Sequence, residues 1–192
     1  MQSIIDANER ERFCDIALVI ASKPDIYALE RAKKHGIPAE VVCRKDYADL
    51  EGAFEKITAL IEEYQIDYMI LAGYLSIIPA SFTSRYAGRI VNIHPSLIPS
   101  FCGKGYYGLN VHRAVLEYGA KVTGVTVHFV DEGADTGAII MQRAVEVQEG
   151  DTPETLQARV LQTEHVILPE AVKLLTQGKI TLRGRTVTIE RE

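Results

Sequence analysis

The chain has 192 residues, 47% of them hydrophobic, and a formal net charge of -5. That length and apolar share predict one compact domain over 1–192. The scattered Lys and Arg leave no basic footprint for nucleic acid or an anionic membrane, so small molecules are the expected partners. Cys14, Cys43 and Cys102 are odd in number, far apart and without C-x-x-C spacing, which excludes a disulfide framework or a structural zinc site and suits a reducing cytoplasm. No apolar run approaches the roughly 20 residues a membrane span needs, and the N-terminus lacks the basic-then-apolar pattern of a secretory signal.

In chain order, residues 2–12 read as a short helix with Ile4 and Ile5 inward, followed by an apolar β run from Cys14 to Ala21. Pro24 and Gly36 bracket a second helix, and AEVVC at 39–43 reads as a strand. Leu50, Phe54, Ile57, Ile61 and Tyr64 recur at steps of four and three, so they share one helical face. Strands at 67–73 and 89–94 alternate with helices near 79–87 and 109–118. Apolar strands separated by amphipathic helices predict an α/β, doubly wound, mainly parallel sheet. The pattern then changes. VTGVTVHFV at 122–130 and AIIMQRAVEV at 138–147 read as two paired strands, and Thr152 with Pro153 opens a long helix that Pro169 is expected to kink or split. The tail at 179–190 alternates about Arg183 and Gly184, as a terminal hairpin does.

Asn92 and His94 lie two apart on one predicted strand, so their side chains face one space, and Pro95 ends the ladder. In open parallel sheets, the space beyond the carboxyl ends of the strands is where ligands bind. A carboxamide can donate to a developing oxyanion, and an imidazole can stabilise the same charge or move a proton near neutral pH. Asp135 follows the later strand between Gly133 and Gly137, which allow a sharp turn towards a ligand. A carboxylate beside His94 would favour the imidazolium, although spacing in sequence does not place the two together. The bland readings are a hydrogen-bonded structural histidine at 94 and simple turn chemistry at 135. His94, His112, His128 and His165 show no close ligand spacing, so no metal is expected.

NIHPSLIPSF at 92–101, followed by GLNVHRAVLEYG, GVTVHFV and DEGADTGAII, resembles the folate-dependent formyltransferases, and among them those that act on glycinamide ribonucleotide in purine biosynthesis. The resemblance runs from residue 2 to about 178. It implies that Asn92, His94 and Asp135 are the catalytic trio, with Asn92 and His94 stabilising the tetrahedral adduct and Asp135 tuning His94 and relaying protons. It implies 10-formyltetrahydrofolate as a loosely held cosubstrate, with its pterin against Leu75, Ser76, Ile77 and Ile78, beside Asn92, and under the loop that starts at Val130 and Asp131. Glu164 matches a position that contacts the ribonucleotide, and Thr126 and His128 match positions supporting the trio on the substrate side. A satisfied polar core is the bland alternative for Thr126 and His128.

The chain departs from the family at two places. FCGKGYYG at 101–108 is longer than the usual loop, and Asn110 replaces a usual histidine, so a reshaped substrate mouth is expected. No residue matches the family's basic contact to the folate glutamate tail; Arg44 and Lys45 lie nearby. Family members also begin with a strand and a Gly-rich loop that holds the substrate phosphate at a helix N-terminus, and Met1–Ala7 corresponds to the helix after that loop. That strand is usually central, so its absence would uncover two neighbouring strands. Met1 is accordingly expected to be an internal methionine of a longer natural chain, the alternative being a truly shortened chain that is catalytically crippled. The alternatives to formyl transfer are a formyltetrahydrofolate hydrolase, a methionyl-tRNA formyltransferase, which normally carries a further RNA-binding domain, and a non-catalytic folate-binding or partner-binding module.

Overall fold

The computed structural model describes residues 1–74 and 76–190. The N-terminal part comprises α1 (Gln2–Glu11), β1 (Val19–Ala21), α2 (Tyr27–Lys34), β2 (Ala39–Val41), α3 (Leu50–Glu63) and β3 (Met69–Ile70). The central part comprises α4 (Ala80–Arg85), β4 (Ile90–His94), α5 (Leu109–Tyr118), β5 (Val122–Phe129) and β6 (Ile139–Glu146). The chain closes with α6 (Pro153–Thr176), β7 (Ile180–Arg183) and β8 (Thr186–Ile189).

Local chemistry accounts for the helix ends. Asp49 caps α3, its carboxylate accepting from the Gly52 amide at 2.8 Å, which satisfies one of the free N–H groups of the first turn. The predicted apolar stripe then points inward: Phe54 and Ile61 are buried, with Leu50 and Ile57 packed beside them. Gly119 stops α5 at φ 77 in the left-handed region that glycine adopts without a steric penalty. At the start of α6, the Thr152 hydroxyl accepts from the Thr155 amide while the Thr155 hydroxyl accepts from the Thr152 amide. The expected split at Pro169 does not occur, and α6 runs unbroken through it. One proline removes a single helical hydrogen bond, and packing of α6 on α5, β5 and β6 holds both halves in register.

β1 and β2 pair in parallel, as do β3 and β4, while β4–β5 and β5–β6 are antiparallel. The four-stranded sheet has the order β3-β4-β5-β6, and β7–β8 is a separate hairpin. Neighbouring residues of β4 show how both faces are covered. Ile90 packs with Phe54, Ile61 and Phe82 of α3 and α4, whereas Val91 joins the larger core with Ile4, Val115, Leu156 and Val160 of α1, α5 and α6. The architecture is therefore the expected α/β one, wound on both faces, with antiparallel strands added at the later edge.

Two strands are shorter than their apolar runs. Of Cys14–Ala21 only Val19–Ala21 is laddered, and of 67–73 only Met69–Ile70. Among the described residues no ladder joins β1 to β3, so each has a bonded neighbour on one side alone. A β conformation persists only where its N–H and C=O groups find partners. Phe13 and Cys14 instead donate to the Asn8 side chain, both at 3.0 Å.

Candidate active site

β4 and β5 set the polar residues of the site by register. Asn92 lies opposite His128, and His94 opposite Thr126; directly opposed residues of an antiparallel pair project from the same face. All four share the face of Ile90, while the intervening Val91, Val125 and Val127 anchor the other face in the large core.

Asp135 arrives from the β5–β6 connection. The His94 Nδ1 atom is 3.4 Å from its Oδ2, and the His128 Nε2 atom 3.7 Å from its Oδ1. The three residues singled out from the sequence are thus brought together: Asn92 and His94 on one strand, the carboxylate from across the cleft. Asp135 has φ 58, a left-handed conformation that is uncommon for a residue with a Cβ and is tolerated best by Asp and Asn. The close approach of the loop also needs Gly137, where an added Cβ would lie 1.8 Å from the Phe129 carbonyl oxygen.

Hydrogen-bond chemistry assigns both histidine tautomers. His128 Nδ1 is 2.8 Å from the Phe129 carbonyl, which can only accept, so Nδ1 carries the hydrogen. Nε2 is then free to accept from the Asn92 Nδ2 amide at 3.2 Å. This contact fixes the carboxamide with its NH2 group towards His128 and leaves the second N–H for a ligand. Burial is the main cause that holds the His128 imidazole below its usual pKa, opposed by the Phe129 carbonyl and the Asp135 charge. The neutral ring is the form that can accept from Asn92. His94 Nε2 lies 2.9 Å from the Phe101 carbonyl, so Nε2 carries its hydrogen and Nδ1 is the nitrogen that faces Asp135.

Thr126 is fully buried and its hydroxyl is engaged inside the protein. It donates to the Ser96 carbonyl at 2.7 Å and accepts from the Ile98 amide at 3.1 Å and from Gln142 Nε2 at 2.9 Å. These bonds brace the HPSLIP turn after β4. Thr126 therefore supports the site from behind, and the same holds for His128, whose side chain is 2% exposed. His112, on α5, is also buried; among the described residues its Nδ1 has no hydrogen-bond partner, and burial followed by the nearby His94 lowers its pKa.

Of the expected folate wall, Leu75 lies outside the described residues. Ile78 and Val130 pack on the same cluster of Phe54, Phe82, Tyr86 and Ile90, so the 76–78 and 130–131 segments share one support. Ile77 is 80% exposed and Ser76 is exposed as well. The Asp131 carboxylate turns back into its own loop, accepting from the Gly133 amide at 3.1 Å and the Thr136 hydroxyl at 2.5 Å. Both bonds fall on Oδ1 and pin the carboxylate to its loop. Glu164, on α6, is not in contact with the trio. It is half-buried, and burial raises its pKa.

Residues 1–172 match the family described as Formyl transferase. The chain belongs to the formyl transferase family. It is 39% identical over 181 residues, 94% of its length, to the trifunctional purine biosynthetic protein adenosine-3 of Gallus gallus, but spans 18% of that protein. Glycinamide ribonucleotide transformylase 1 from Symbiobacterium toebii superposes with a TM-score of 0.90 at 40% identity, over 98% of this chain and 87% of that one. A formyltetrahydrofolate deformylase from Pseudomonas syringae superposes at 0.85 with 26% identity, over 98% of this chain and 62% of that one.

Several residues of this candidate site escaped the sequence reading. Phe101 and Gly103 contact the trio through backbone atoms, which leave no side-chain signature. Gln142 and Ser96 act through hydrogen bonds that only the register of β5 and β6 reveals. Tyr74 is half-buried, its phenol pKa raised by burial and opposed by a bond to Ser76; its adjacency to the expected folate segment was the available signal. Among the described residues no group of three or more His, Cys, Asp or Glu is arranged to hold a metal ion, and no helix is long and apolar enough to cross a membrane.

Proposed function

We propose that this protein transfers the formyl group of 10-formyltetrahydrofolate to the amine of glycinamide ribonucleotide, a step of purine biosynthesis, in a cytoplasmic compartment. The observation that carries this reading is the meeting of an amide and an imidazole on β4 with a carboxylate from the β5–β6 connection: Asn92 reaches His128 at 3.2 Å, and Asp135 reaches His94 and His128 at 3.4 and 3.7 Å. The amine attacks the formyl carbon, a C–N bond forms, and the carbonyl oxygen gains negative charge. The free N–H of Asn92 donates to that oxygen, and His94 stabilises the charge beside it; one such donor accounts for about 10²- to 10³-fold in rate. Collapse of the adduct breaks the bond to the folate nitrogen, which takes up a proton as the amine loses one. Asp135, alongside His94 Nδ1, is placed to relay that proton through water.

The folate ring lies against Ile78 and Val130 beside Ser76, Ile77 and Leu75, with the 130–135 backbone pairing to its polar edge. Glu164 serves the ribonucleotide. Thr126 and His128 support the trio. No metal takes part in any step. Three free thiols suit a reducing compartment.

Incubating purified protein with both substrates and measuring formylated ribonucleotide tests the proposal. Product formed in step with folate release is the expected result. Folate released at the same rate with and without the amine, and no formylated product, would instead make the protein a deformylase. Folate binding without turnover would make it a binding module.

A further inference from the structure

The 101–108 loop reaches the catalytic pair at two points. The Phe101 carbonyl meets His94 Nε2 at 2.9 Å, and the Gly103 amide donates to Asp135 Oδ2 at 2.9 Å. Two residues apart on one loop, a carbonyl engages the imidazole and an N–H engages the carboxylate. Phe101 (φ 50) and Asp135 (φ 58) hold left-handed backbone that residues with a Cβ rarely adopt, and Gly103 supplies the φ of 88 between them without a steric penalty. A non-glycine residue keeps a positive φ only where its surroundings over-determine it.

The surroundings of Phe101 do so. Its ring packs edge-on to Tyr106, centroids 6.4 Å apart, and to Tyr118 at the end of α5, 5.8 Å apart. It also touches the large core. The Ser96 hydroxyl donates to the Ser100 carbonyl at 2.6 Å, and the Tyr106 amide to the Gly103 carbonyl at 3.1 Å, closing the loop on itself. The lengthened part of the loop thus supplies one of the aromatic walls that set the carbonyl.

We propose that Phe101 and Gly103 are positioning residues, a two-point backbone clamp that fixes His94 as its Nε2–H tautomer and holds Asp135 against the opposite ring nitrogen. A carbonyl can only accept, so the clamp reserves Nε2 as a donor and leaves Nδ1 for proton exchange with the carboxylate. The direct hydrogen bond to the oxyanion then falls to Asn92, and His94 acts from a fixed position beside it. The catalytic consequence rests on the formyl-transfer reading; the tautomer does not.

The test therefore has two arms. In protein labelled with ¹⁵N at histidine, with the His94 signals assigned by their loss in H94N, the nitrogen shifts report which ring atom carries hydrogen. At a pH where the ring is neutral, wild type is expected to show protonated Nε2 at His94, and Phe101→Ala a mixture of tautomers. In the activity arm, Phe101→Ala lowers kcat on the order of 10²-fold, as a misplacement of about 1 Å does, with KM little changed and the pH–rate profile displaced. Phe101→Leu, which retains an apolar anchor, restores most of kcat. Val122→Ala is the control: it changes an exposed side chain at the start of β5, outside the loop and the site, and leaves kcat as it was. An Nδ1–H tautomer at His94 in wild type overturns the clamp whether or not the protein proves active. So does a Phe101→Ala protein with wild-type tautomer, kcat and pH profile. A wild type that formylates no amine yet keeps the Nε2–H signal defeats the functional reading and leaves the clamp standing.

Discussion

β4 and β1 are both short apolar strands that run in parallel to a neighbour, yet they are held very differently. β4 is laddered on both edges, to β3 and β5, and its two faces are sealed by two clusters, so that Ile90 and Val91 are almost fully buried. β1 has β2 alone, and its Ile20 is 36% exposed. The polar residues of the site follow directly on the doubly held strand. A site must hold its groups within about 0.5 Å of working geometry, and that favours the most over-determined part of a scaffold. The β1–β2 side rests on a smaller cluster of Val42, Ala53 and Leu60.

If the β4 end carries the chemistry, the largest effect belongs to Asn92→Ala. Removing the oxyanion donor is expected to lower kcat by about 10²- to 10³-fold, roughly 3–4 kcal/mol in the barrier. Folding stability should fall by about 1–3 kcal/mol, because the buried His128 Nε2 loses its donor. Steady-state kinetics beside a denaturant titration separate the two. A variant that keeps wild-type kcat would remove Asn92 from the mechanism.

The next effect compares the two cores. Leu156 and Leu60 are both buried, at 0% and 2% exposure, but Leu156 sits among sixteen buried residues and Leu60 in a group of three. A cavity among many fixed neighbours cannot collapse, whereas a small cluster relaxes around it. Leu156→Ala should cost about 4 kcal/mol and Leu60→Ala about 2 kcal/mol, towards the two ends of the range for such truncations. Equal losses, read from urea midpoints at a shared m value, would mean that the β1–β2 side is as rigid as the rest.

The contrast also explains what was legible in the sequence. The α3 stripe, the Leu109–Tyr118 helix and the paired strands on either side of the Asp135 loop could be read directly, because local period and burial agree there. The runs at 14–21 and 67–73 were read too long, because strand length depends on a bonded neighbour rather than on composition. Asn92 and His94 were legible as a pair through the two-residue strand period, whereas Asp135 joined them through the resemblance alone. The Phe101 carbonyl and the Gly103 amide were invisible, since every residue carries such groups and only the fold aims them. The split expected at Pro169 does not occur because the rule that proline breaks helices describes an isolated helix, and α6 is packed along its length.

The smallest effect concerns acid. His128 and His112 both lie on the site side of the structure, and burial is the main cause that depresses both pKa values below the ordinary 6.5. Between 6.5 and the depressed values the unfolded chain binds more protons than the native one, so stability rises with pH across that window and is lost as pH falls through it. Above 6.5 both states are neutral at these positions and the dependence ends. His112→Phe sharpens the test, because it removes one of the two protonation sites together with a buried nitrogen that has no partner. Losing an unsatisfied buried polar atom offsets part of the packing change, so at pH 7.5 the variant should lie within about 1 kcal/mol of wild type. Between pH 6.5 and 5.5 its denaturation midpoint should fall less steeply. The slope that remains includes the share of His128, whose native ring stays neutral through this window and charges only below its depressed pKa; that charging would withdraw the acceptor that orients Asn92, so activity should decline at a lower pH than the one at which stability begins to fall. A variant with the full wild-type slope would mean that the His112 ring takes up its proton without resistance from the fold.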